Sequence, residues 1–471
     1  MGIISIILQK TEDMIGFMNK KATPHSEKKY GPFTAIAMIV GTVIGSGIFF
    51  KSDDVLLYTG GSIPLGVLVF CIAAISIVFG SLSIGEMASR TDKPGGIITY
   101  AQEFCSSRIS CAFGWFHTFV YYPTLIAVVS WVIGIYTCML FGLDGTLETQ
   151  ILIGALGMAL LFAVNTLWAR FGGLVQGATT VLKLLPLFLF AVCGLLFGNP
   201  AELHAPAQTL HSAGWLAAIA PVAFAFDGWI VSTSIAHEIK NSRRNLPLAL
   251  VVAPVFILLS YVLYFVGMSL YLGPQQLAGM GDAHLYAAAQ KLLGPWGAKI
   301  ILIFVIISVA GTVNGLVMGN MRNPYSLALR NMIPASQRIS RVSEPYGLSL
   351  PSVAIAFVLS VFWMLIHYLT QKFSLLGNSD VSEISIVMNY LAYIILYLQV
   401  MRMARRGTIK GFWRGYGNPA LAILGSCIIL YGGMQNAMFL LYGAISVVMM
   451  GCALWYFRRH SHSIRTPHSQ G

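Results

Sequence analysis

Long apolar runs separated by short polar segments fill almost the whole chain. They lie at residues 33–50, 63–86, 112–141, 151–168, 174–198, 215–235, 247–272, 298–320, 351–370, 382–401, 419–434 and 437–457. A helix needs about 20 mostly apolar residues to cross a bilayer. Several runs are apolar on all sides rather than alternating, which argues against a transmembrane β-barrel. The pattern predicts an all-α integral membrane protein with about 12 transmembrane helices.

The first run contains small and hydroxylated residues near its middle, where a plain membrane anchor carries Leu or Val. Residues 41–49 read GTVIGSGIF. Glycine lets the backbone leave helical geometry, and unpaired backbone groups are tolerated at membrane depth only where they line a cavity or a ligand. The stretch is typical of a spanning helix broken at a substrate site. Close packing of two helices explains the same small residues equally well.

The sixth run contains a second candidate break, five spans after the first. Asp227 and Gly228 follow the segment Phe224–Phe226 near mid-span. That spacing is expected of an inverted repeat with discontinuous helices 1 and 6. The half-helix that follows Gly45–Gly47 would offer N–H groups to a carboxylate. Carbonyl groups of an unwound Phe224–Phe226 segment would accept hydrogen bonds from an ammonium group, so a zwitterionic amino acid suits both breaks.

The positive charges are distributed unevenly between the two sides of the predicted membrane. If the N-terminus lies in the cytoplasm, most of the 29 lysines and arginines fall in cytoplasmic segments. The exceptions are Lys183, within a span, and Lys51, Lys291, Lys299 and Lys372, on the outside. We therefore predict an even number of spans in the cell membrane, with both termini cytoplasmic. The net charge of +12 then reflects topology, and no nucleic-acid partner is expected.

Composition excludes several other classes of protein. The chain is 56% hydrophobic and 10% charged, too apolar along its whole length for a soluble domain. The seven cysteines are scattered, with neither metal-ligand spacing nor a disulfide framework. Residues 1–29 lack a cleavable signal sequence. Neither a metal nor a cofactor is expected, and no nucleophile–base spacing or phosphate loop points to an enzyme.

Three segments resemble signatures of amino acid permeases of the amino acid–polyamine–organocation superfamily, and among its branches the L-type exchangers. They are residues 41–49; residues 85–88 (GEMA) with 93–96 (KPGG); and residues 224–229 (FAFDGW) with 237–247 (HEIKNSRRNLP). The resemblance extends from about Tyr30 to Phe457. It departs from the usual pattern at residues 321–325 (MRNPY).

The resemblance implies a LeuT-like fold with a five-plus-five inverted repeat. The transporter domain would cover residues 30–457, with repeats at about 30–198 and 212–401 and two extra helices at about 418–457. Tails 1–29 and 458–471 would be cytoplasmic. The outer loop between spans three and four lacks cysteine, so a disulfide-linked heavy subunit is not expected.

Candidate substrate-binding residues come from the two breaks and from the resemblance. They are Ile44, Gly45, Ser46, Gly47, Phe224, Ala225, Phe226, Asp227 and Asn389. The resemblance favours Phe224 as an aromatic gate. Asp227 has two interpretations: it binds a cationic substrate side chain, or it caps the following part of helix 6.

Lys183 lies within the fifth span, where an ammonium group is costly and is a functional candidate by default. It matches a lysine that sodium-independent permeases carry where sodium-coupled relatives bind Na⁺. We interpret it as a substitute for that cation. A structural cation between helices 1 and 5 and a proton carrier are the alternatives.

Several other polar residues in or beside the spans have a structural and a functional interpretation. Secondary candidates are Asn314, which an interhelical hydrogen bond explains equally well, and Trp229. His117 and His367 have no ligand partners at useful spacing and are predicted to be structural. An inner ion-pair gate or solvated helix ends are the two interpretations of Glu86, Glu238, Arg243 and Arg244.

The leading hypothesis is secondary transport of L-amino acids by alternating access. Sodium-independent exchange of neutral amino acids, with cationic ones as a further class, is favoured over proton symport because no buried carboxylate–histidine relay is visible. An amino acid sensor that does not transport is a second class of function, although the tails are too short to hold a signalling domain. A channel would require a continuous polar stripe. The amino acid substrate and membrane lipid are the expected partners.

Overall fold

The computed structural model describes residues 31–91, 93, 95–167, 171–204, 214–376, 380–435 and 438–460. Within them, 12 helical segments are long and apolar enough to cross a membrane. We number these spans one to twelve in chain order: Pro32–Phe49, Ile63–Ala88, Ser107–Phe141, Leu147–Leu167, Gln176–Phe197, Gly214–Thr233, Ser242–Leu272, His284–Ala328, Leu350–Lys372, Ser382–Arg405, Trp413–Met434 and Phe439–His460. The predicted helical membrane architecture is confirmed.

Several spans consist of more than one helix. Span one contains the helix Pro32–Val43 and the start of the helix Ser46–Tyr58, which continues beyond the span. Span three contains Ser107–Phe116, a π-helical turn His117–Tyr121, and Tyr122–Phe141. The helix of span five begins at Phe171, and that of span eight ends at Asn320. Span eleven begins with a π-helical turn, Trp413–Gly417, and continues as Asn418–Met434. Shorter helices occupy Ile97–Tyr100, Ala101–Cys105, Pro200–His204, Pro274–Ala278, Gly281–Ala283, Asn323–Ala328 and Ser336–Ile339.

Burial separates central spans from peripheral ones. In spans one and six, 76% of an 18-residue apolar stretch is buried inside the protein, whereas only 17% is buried in spans four and twelve. Spans one and six contact each other, and spans two, five, seven and eight pack around them. The two interrupted helices therefore occupy the centre of the bundle, where free backbone groups are shielded from lipid.

Helix 1 is discontinuous where the glycines predict it. The first half ends at Val43, and Ile44 is extended, with φ −70° and ψ 103°. Gly45 is also non-helical, with φ −152° and ψ −134°, and the second half begins at Ser46. The side chain of Ser46 lies outside the described residues, although its backbone begins the helix.

Helix 6 is also discontinuous, but its break lies later than predicted. A 3₁₀ turn, Gly214–Ala218, leads into the α-helix Ile219–Ala225, and a 3₁₀ helix follows from Trp229 to Glu238. Phe224 and Ala225 are thus the last helical residues rather than part of an unwound segment. The chain turns at residues 226–228, where Gly228 adopts a φ of 99°. Glycine adopts this conformation without the steric cost that other residues incur.

A buried arginine joins the loop that follows span two to the loop that follows span eight. Arg330 donates hydrogen bonds to the Ser326 carbonyl oxygen at 2.8 Å, to Thr99 Oγ1 at 2.7 Å and to Gln102 Oε1. Burial lowers the pKa of Arg330 to about 10, opposed by the nearby Glu103 carboxylate. The guanidinium therefore remains a cation at neutral pH and holds the loop after span two against the loop after span eight.

The division of the chain into two repeats and two added helices stays a prediction. The tails at 1–29 and 461–471 lie outside the described residues, whereas residues 458–460 complete the last helix.

Candidate functional site

A cavity lies between the two helix breaks. The residues that line it come from spans one, three, six and eight: Thr42, Val43, Gly47, Leu125, Val129, Phe224, Asp227, Gly228, Thr312 and Leu316. Of the predicted substrate-binding residues, Gly47, Phe224 and Asp227 line this cavity directly. The second half of helix 1 begins one residue before Gly47, and the first N–H groups of a helix have no acceptor within it. The cavity therefore combines a helix N-terminus with a carboxylate.

Close packing requires glycine at two positions of the first break. A Cβ atom on Gly47 would lie 2.5 Å from the Cα atom of Ala225, and one on Gly45 would lie 2.0 Å from Thr312 Oγ1. The Gly47 contact is with backbone, which no rotamer change relieves. Helix breaking and close approach, the two interpretations of the glycines, therefore both apply.

The Tyr261 hydroxyl bridges the two breaks from span seven. It lies 3.0 Å from the Val43 carbonyl oxygen and 2.8 Å from the Ala225 carbonyl oxygen, so its single proton serves both acceptors. Both are the last residues of their helices, where carbonyls lack an intrahelical donor. Sequence analysis missed Tyr261. Its hydroxyl in a mainly apolar run is a signal that it shares with Ser260 and Tyr264.

Asp227 accepts a hydrogen bond from span three. Tyr121 Oη donates to Asp227 Oδ2 at 2.6 Å, and both side chains are buried. The Asp227 N–H donates to the Phe224 carbonyl oxygen at 3.0 Å. Tyr121 supplies an interaction that neither interpretation of Asp227 included, and the carboxylate still faces the cavity.

His117, which was predicted to be structural, lies beside this pair. Its ring stacks on Tyr121 with centroids 4.7 Å apart, and its Nε2 lies 3.0 Å from Asn389 Oδ1. Asn389 Nδ2 in turn donates to Tyr393 Oη at 2.6 Å. The structure thus places Asn389 in a polar network shared by spans three and ten. His117 and Tyr121 stand between Asn389 and Asp227. Tyr121 therefore lies between the Asp227 carboxylate, to which it donates a hydrogen bond, and the His117 ring, on which it stacks. His367 lies apart from this group, packed on Trp131.

The π-helical turn of span three explains the placement of Tyr121. The Tyr122 N–H donates to the His117 carbonyl oxygen, one residue further than in an α-helix. The extra residue bulges the helix locally, a feature common at functional sites. Sequence periodicity gives no signal of such a bulge.

Lys183 joins span five to the end of the first half of helix 1. Its ammonium group donates to the Gly41 carbonyl oxygen at 2.5 Å and to Thr312 Oγ1 at 3.3 Å, and the residue is fully buried. Thr312 also lines the cavity. An oxygen-lined pocket filled by an ammonium group is consistent with both the cation-substitute and the structural interpretations.

Asn314 lies in a separate polar cluster. It donates to Gln176 Oε1 at 3.1 Å and accepts from Asn165 Nδ2 at 2.7 Å. These bonds link spans four, five and eight, as the structural interpretation expects. Trp229 packs against Tyr393, with ring centroids 5.4 Å apart, and Phe226 packs against Tyr261 at 5.1 Å. Neither lines the cavity. Ile44, Gly45 and Ala225 belong to the adjoining backbone.

Glu86 forms ion pairs at the end of span two. Its carboxylate lies 3.0 Å from Arg90 Nη1 and 2.6 Å from Arg414 Nε, and the residue is buried. The solvated-end interpretation of Glu86 is therefore wrong. The pairing with span eleven was not expected. The side chain of Glu238 lies outside the described residues.

A second cavity lies on the side of the loop after span two. Gly95, Gly96, Ile97, His117, Tyr122, Ile230, Thr233 and Asn323 line it. His117 and Tyr122 come from the same turn as Tyr121, and Ile230 follows Asp227 by three residues. The network around Tyr121 therefore lies between the two cavities.

Comparison with known proteins places the chain in a family. The family model described as amino acid permease matches residues 30–457. The chain is 30% identical over 416 residues to the serine/threonine exchanger SteT of Bacillus subtilis, covering 86% of this chain and 90% of that protein. It is 30% identical over 311 residues to the human b(0,+)-type amino acid transporter 1, covering 62% and 61%.

The fold is similar to that of the LeuT-fold transporter MhsT, solved in complex with L-phenylalanine. The TM-score is 0.61 at 14% identity, over 87% of this chain and 99% of that one. The predicted LeuT-like fold is confirmed. This multi-pass membrane protein belongs to the amino acid permease family and is a transporter rather than an enzyme.

Proposed function

We propose that this protein carries L-amino acids across the cell membrane by alternating access, exchanging one amino acid for another without Na⁺. The cavity between the breaks of helices 1 and 6 carries the proposal. Related proteins whose names describe amino acid exchange or transport support it.

The substrate carboxylate binds at the start of the second half of helix 1. Gly47 lines the cavity there, and the positive end of the helix dipole favours an anion. The ammonium group binds the carbonyl oxygens of Phe224 and Ala225. Each already accepts one hydrogen bond, from Asp227 and Tyr261 respectively. A carbonyl oxygen has two lone pairs and can accept more than one hydrogen bond.

Lys183 supplies the fixed charge that makes Na⁺ unnecessary. Its ammonium group fills the space between the Gly41 carbonyl and the Thr312 hydroxyl, oxygen ligands of the kind that hard cations prefer. Asn389 acts on the site indirectly, through its hydrogen bond with His117 in the π-helical turn of span three. Both termini lie in the cytoplasm in this proposal, which puts the second cavity on the cytoplasmic side. No disulfide-linked heavy subunit is required.

Proton symport is the second candidate, and one observation favours it. Asp227, Tyr121 and His117 lie next to one another in the buried interior: Tyr121 donates a hydrogen bond to Asp227, and its ring stacks on His117. A proton held there would travel with the substrate.

Counterflow in proteoliposomes tests the proposal. Vesicles are loaded with one unlabelled amino acid, labelled amino acids are added outside, and Na⁺, pH and the internal substrate are varied. We expect transient accumulation that requires internal amino acid and is unchanged when choline replaces Na⁺. Uptake into empty vesicles driven by a pH gradient alone would favour symport. If no amino acid accumulates under any condition, the transport proposal is wrong.

A further inference from the structure

Asp227 is a buried carboxylate without a counter-charge. It is 8% exposed, and within the described part of the chain it forms no ion pair. The titratable groups that face it are the phenols of Tyr121 and Tyr122 from span three and of Tyr390 and Tyr393 from span ten. His117 stands one ring further away, stacked on Tyr121. None of these groups is a permanent cation.

Lys183 is near the same cavity but is already engaged. Its ammonium group donates hydrogen bonds to the Gly41 carbonyl oxygen and to Thr312 Oγ1. An isolated carboxylate is costly to bury in a membrane protein and must be neutralised by a proton or by a cation. Since Asp227 lines the cavity, a cationic side chain of a bound substrate can reach it directly.

We propose that Asp227 binds a proton when the cavity holds a neutral amino acid, and releases it when the cavity holds a cationic one. This inference rests on the proposed exchange function. In both loaded states the carboxyl group and the substrate together carry no net charge. The electrostatic cost of moving the loaded site between its two orientations is therefore the same for neutral and for cationic amino acids.

The hydrogen bond from Tyr121 suits both states of Asp227. A phenol can donate to an ionised carboxylate or to the carbonyl oxygen of a protonated carboxyl group. Its neighbours His117 and Tyr122 line the second cavity, so a proton leaving Asp227 has polar groups close by on that side. The site therefore stays hydrogen-bonded as its protonation changes.

The charge balance makes a specific claim about mixed exchange. When a neutral amino acid leaves a vesicle it takes one proton with it, and Asp227 returns ionised with a cationic amino acid. One positive charge enters as substrate, and one leaves as a proton. The exchange is electroneutral, and the vesicle lumen becomes more alkaline. Exchange of one neutral amino acid for another moves no net proton.

Proteoliposomes with a trapped pH indicator and a membrane potential clamped by K⁺ and valinomycin test this claim. They are loaded with serine, and labelled arginine or labelled serine is added outside. We expect the lumen to become alkaline by about one proton per arginine taken up, with no change during serine–serine exchange. The rate of arginine uptake should not respond to the imposed potential.

Two variants sharpen the test. Asp227→Asn cannot change protonation, so any exchange that remains should move no protons and should lose arginine as a substrate. Asp53→Asn is the matched control, because Asp53 is also a buried carboxylate at 8% exposure and lies outside the cavity. It should retain the alkaline shift.

The outcomes separate this inference from the proposed function. If serine exchanges but arginine is not carried at any pH, amino acid exchange stands and the inference is wrong. If arginine enters against serine with constant lumenal pH and a rate that follows the potential, neutral substrates travel without a proton and the inference is again wrong. If nothing exchanges, the proposed function itself is overturned.

Discussion

The Tyr261 hydroxyl lies 3.0 Å from the carbonyl oxygen of Val43, the last residue of the first half of helix 1. The same hydroxyl lies 2.8 Å from the Ala225 carbonyl at the corresponding end in helix 6. One side chain of span seven thus fixes the relative position of both breaks. Their separation determines the shape of the cavity.

Replacement of Tyr261 by Phe should slow exchange. Two buried carbonyl groups lose their shared donor, and an unmade buried hydrogen bond costs about 1–3 kcal/mol. We expect the initial rate of counterflow to fall about tenfold, since about 1.4 kcal/mol corresponds to one decade. Tyr397→Phe is the control, because the buried Tyr397 hydroxyl has no hydrogen-bond partner among the described residues. Equal rates in both variants would contradict the bridging role.

Lys183→Ala should abolish most uptake in Na⁺-free medium. The Gly41 carbonyl and the Thr312 hydroxyl lose a charged donor at the first break, and charged hydrogen bonds contribute about 1.5–3 kcal/mol each. We expect at least about a tenfold loss of the labelled amino acid taken up. Lys299→Ala, at an exposed position, should transport as the wild type does. Wild-type uptake that stops when choline replaces Na⁺ would rule out the cation-substitute role.

Gly47→Ala should impair substrate binding without a general loss of folding. The added methyl group would meet the Ala225 backbone at 2.5 Å and push the two half-helices apart. We expect the apparent affinity in counterflow to weaken about tenfold or more, for a strain cost of about 1–3 kcal/mol. Gly443→Ala is the matched helical control. Nothing lies within 4 Å of its added Cβ, so thermal stability should be retained or slightly raised. Unchanged affinity in Gly47→Ala would refute the close packing.

Arg330→Ala should loosen the junction between the two long loops. Thr99 and Gln102 lose a buried charged donor, and Arg330→Lys should not restore the arrangement because an ammonium group cannot reproduce a planar guanidinium. We expect amide hydrogen exchange in residues 97–105 to accelerate about tenfold or more. The exposed Arg338 of the same loop provides the control, Arg338→Ala. Protection equal to the wild type would show that the junction does not depend on Arg330.

The sequence alone predicted the pattern of spans and the region of each helix break. Both depend on local features of the chain, namely its hydropathy and the position of glycine residues. The sequence was less reliable for boundaries. Span eight begins at His284 rather than near 298, since its first turns contain a kink at Gly294, with φ 71°, followed by Pro295. Such a kink interrupts the apolar run without ending the helical segment.

Contacts between distant spans could not be predicted in the same way. Tyr121 meets Asp227, and His117 meets Asn389, because a π-helical turn rotates part of span three. Tyr261 reaches both breaks because of how span seven is rotated about its axis. Neither rotation leaves a mark on hydropathy. The polar residues themselves were visible in the sequence, but their partners were not.

The aliphatic part of the cavity wall has a consequence for how cargo preference can change over generations. Leu125, Val129 and Leu316 come from spans three and eight, whereas the main-chain groups at the breaks come from spans one and six. Codons for the two parts of the wall are therefore far apart in the gene. Single substitutions at the three aliphatic positions can reshape the space for a cargo side chain while the glycine segments stay intact. Substrate preference can therefore change without loss of the fold, and these three positions are suitable targets for a focused mutant library.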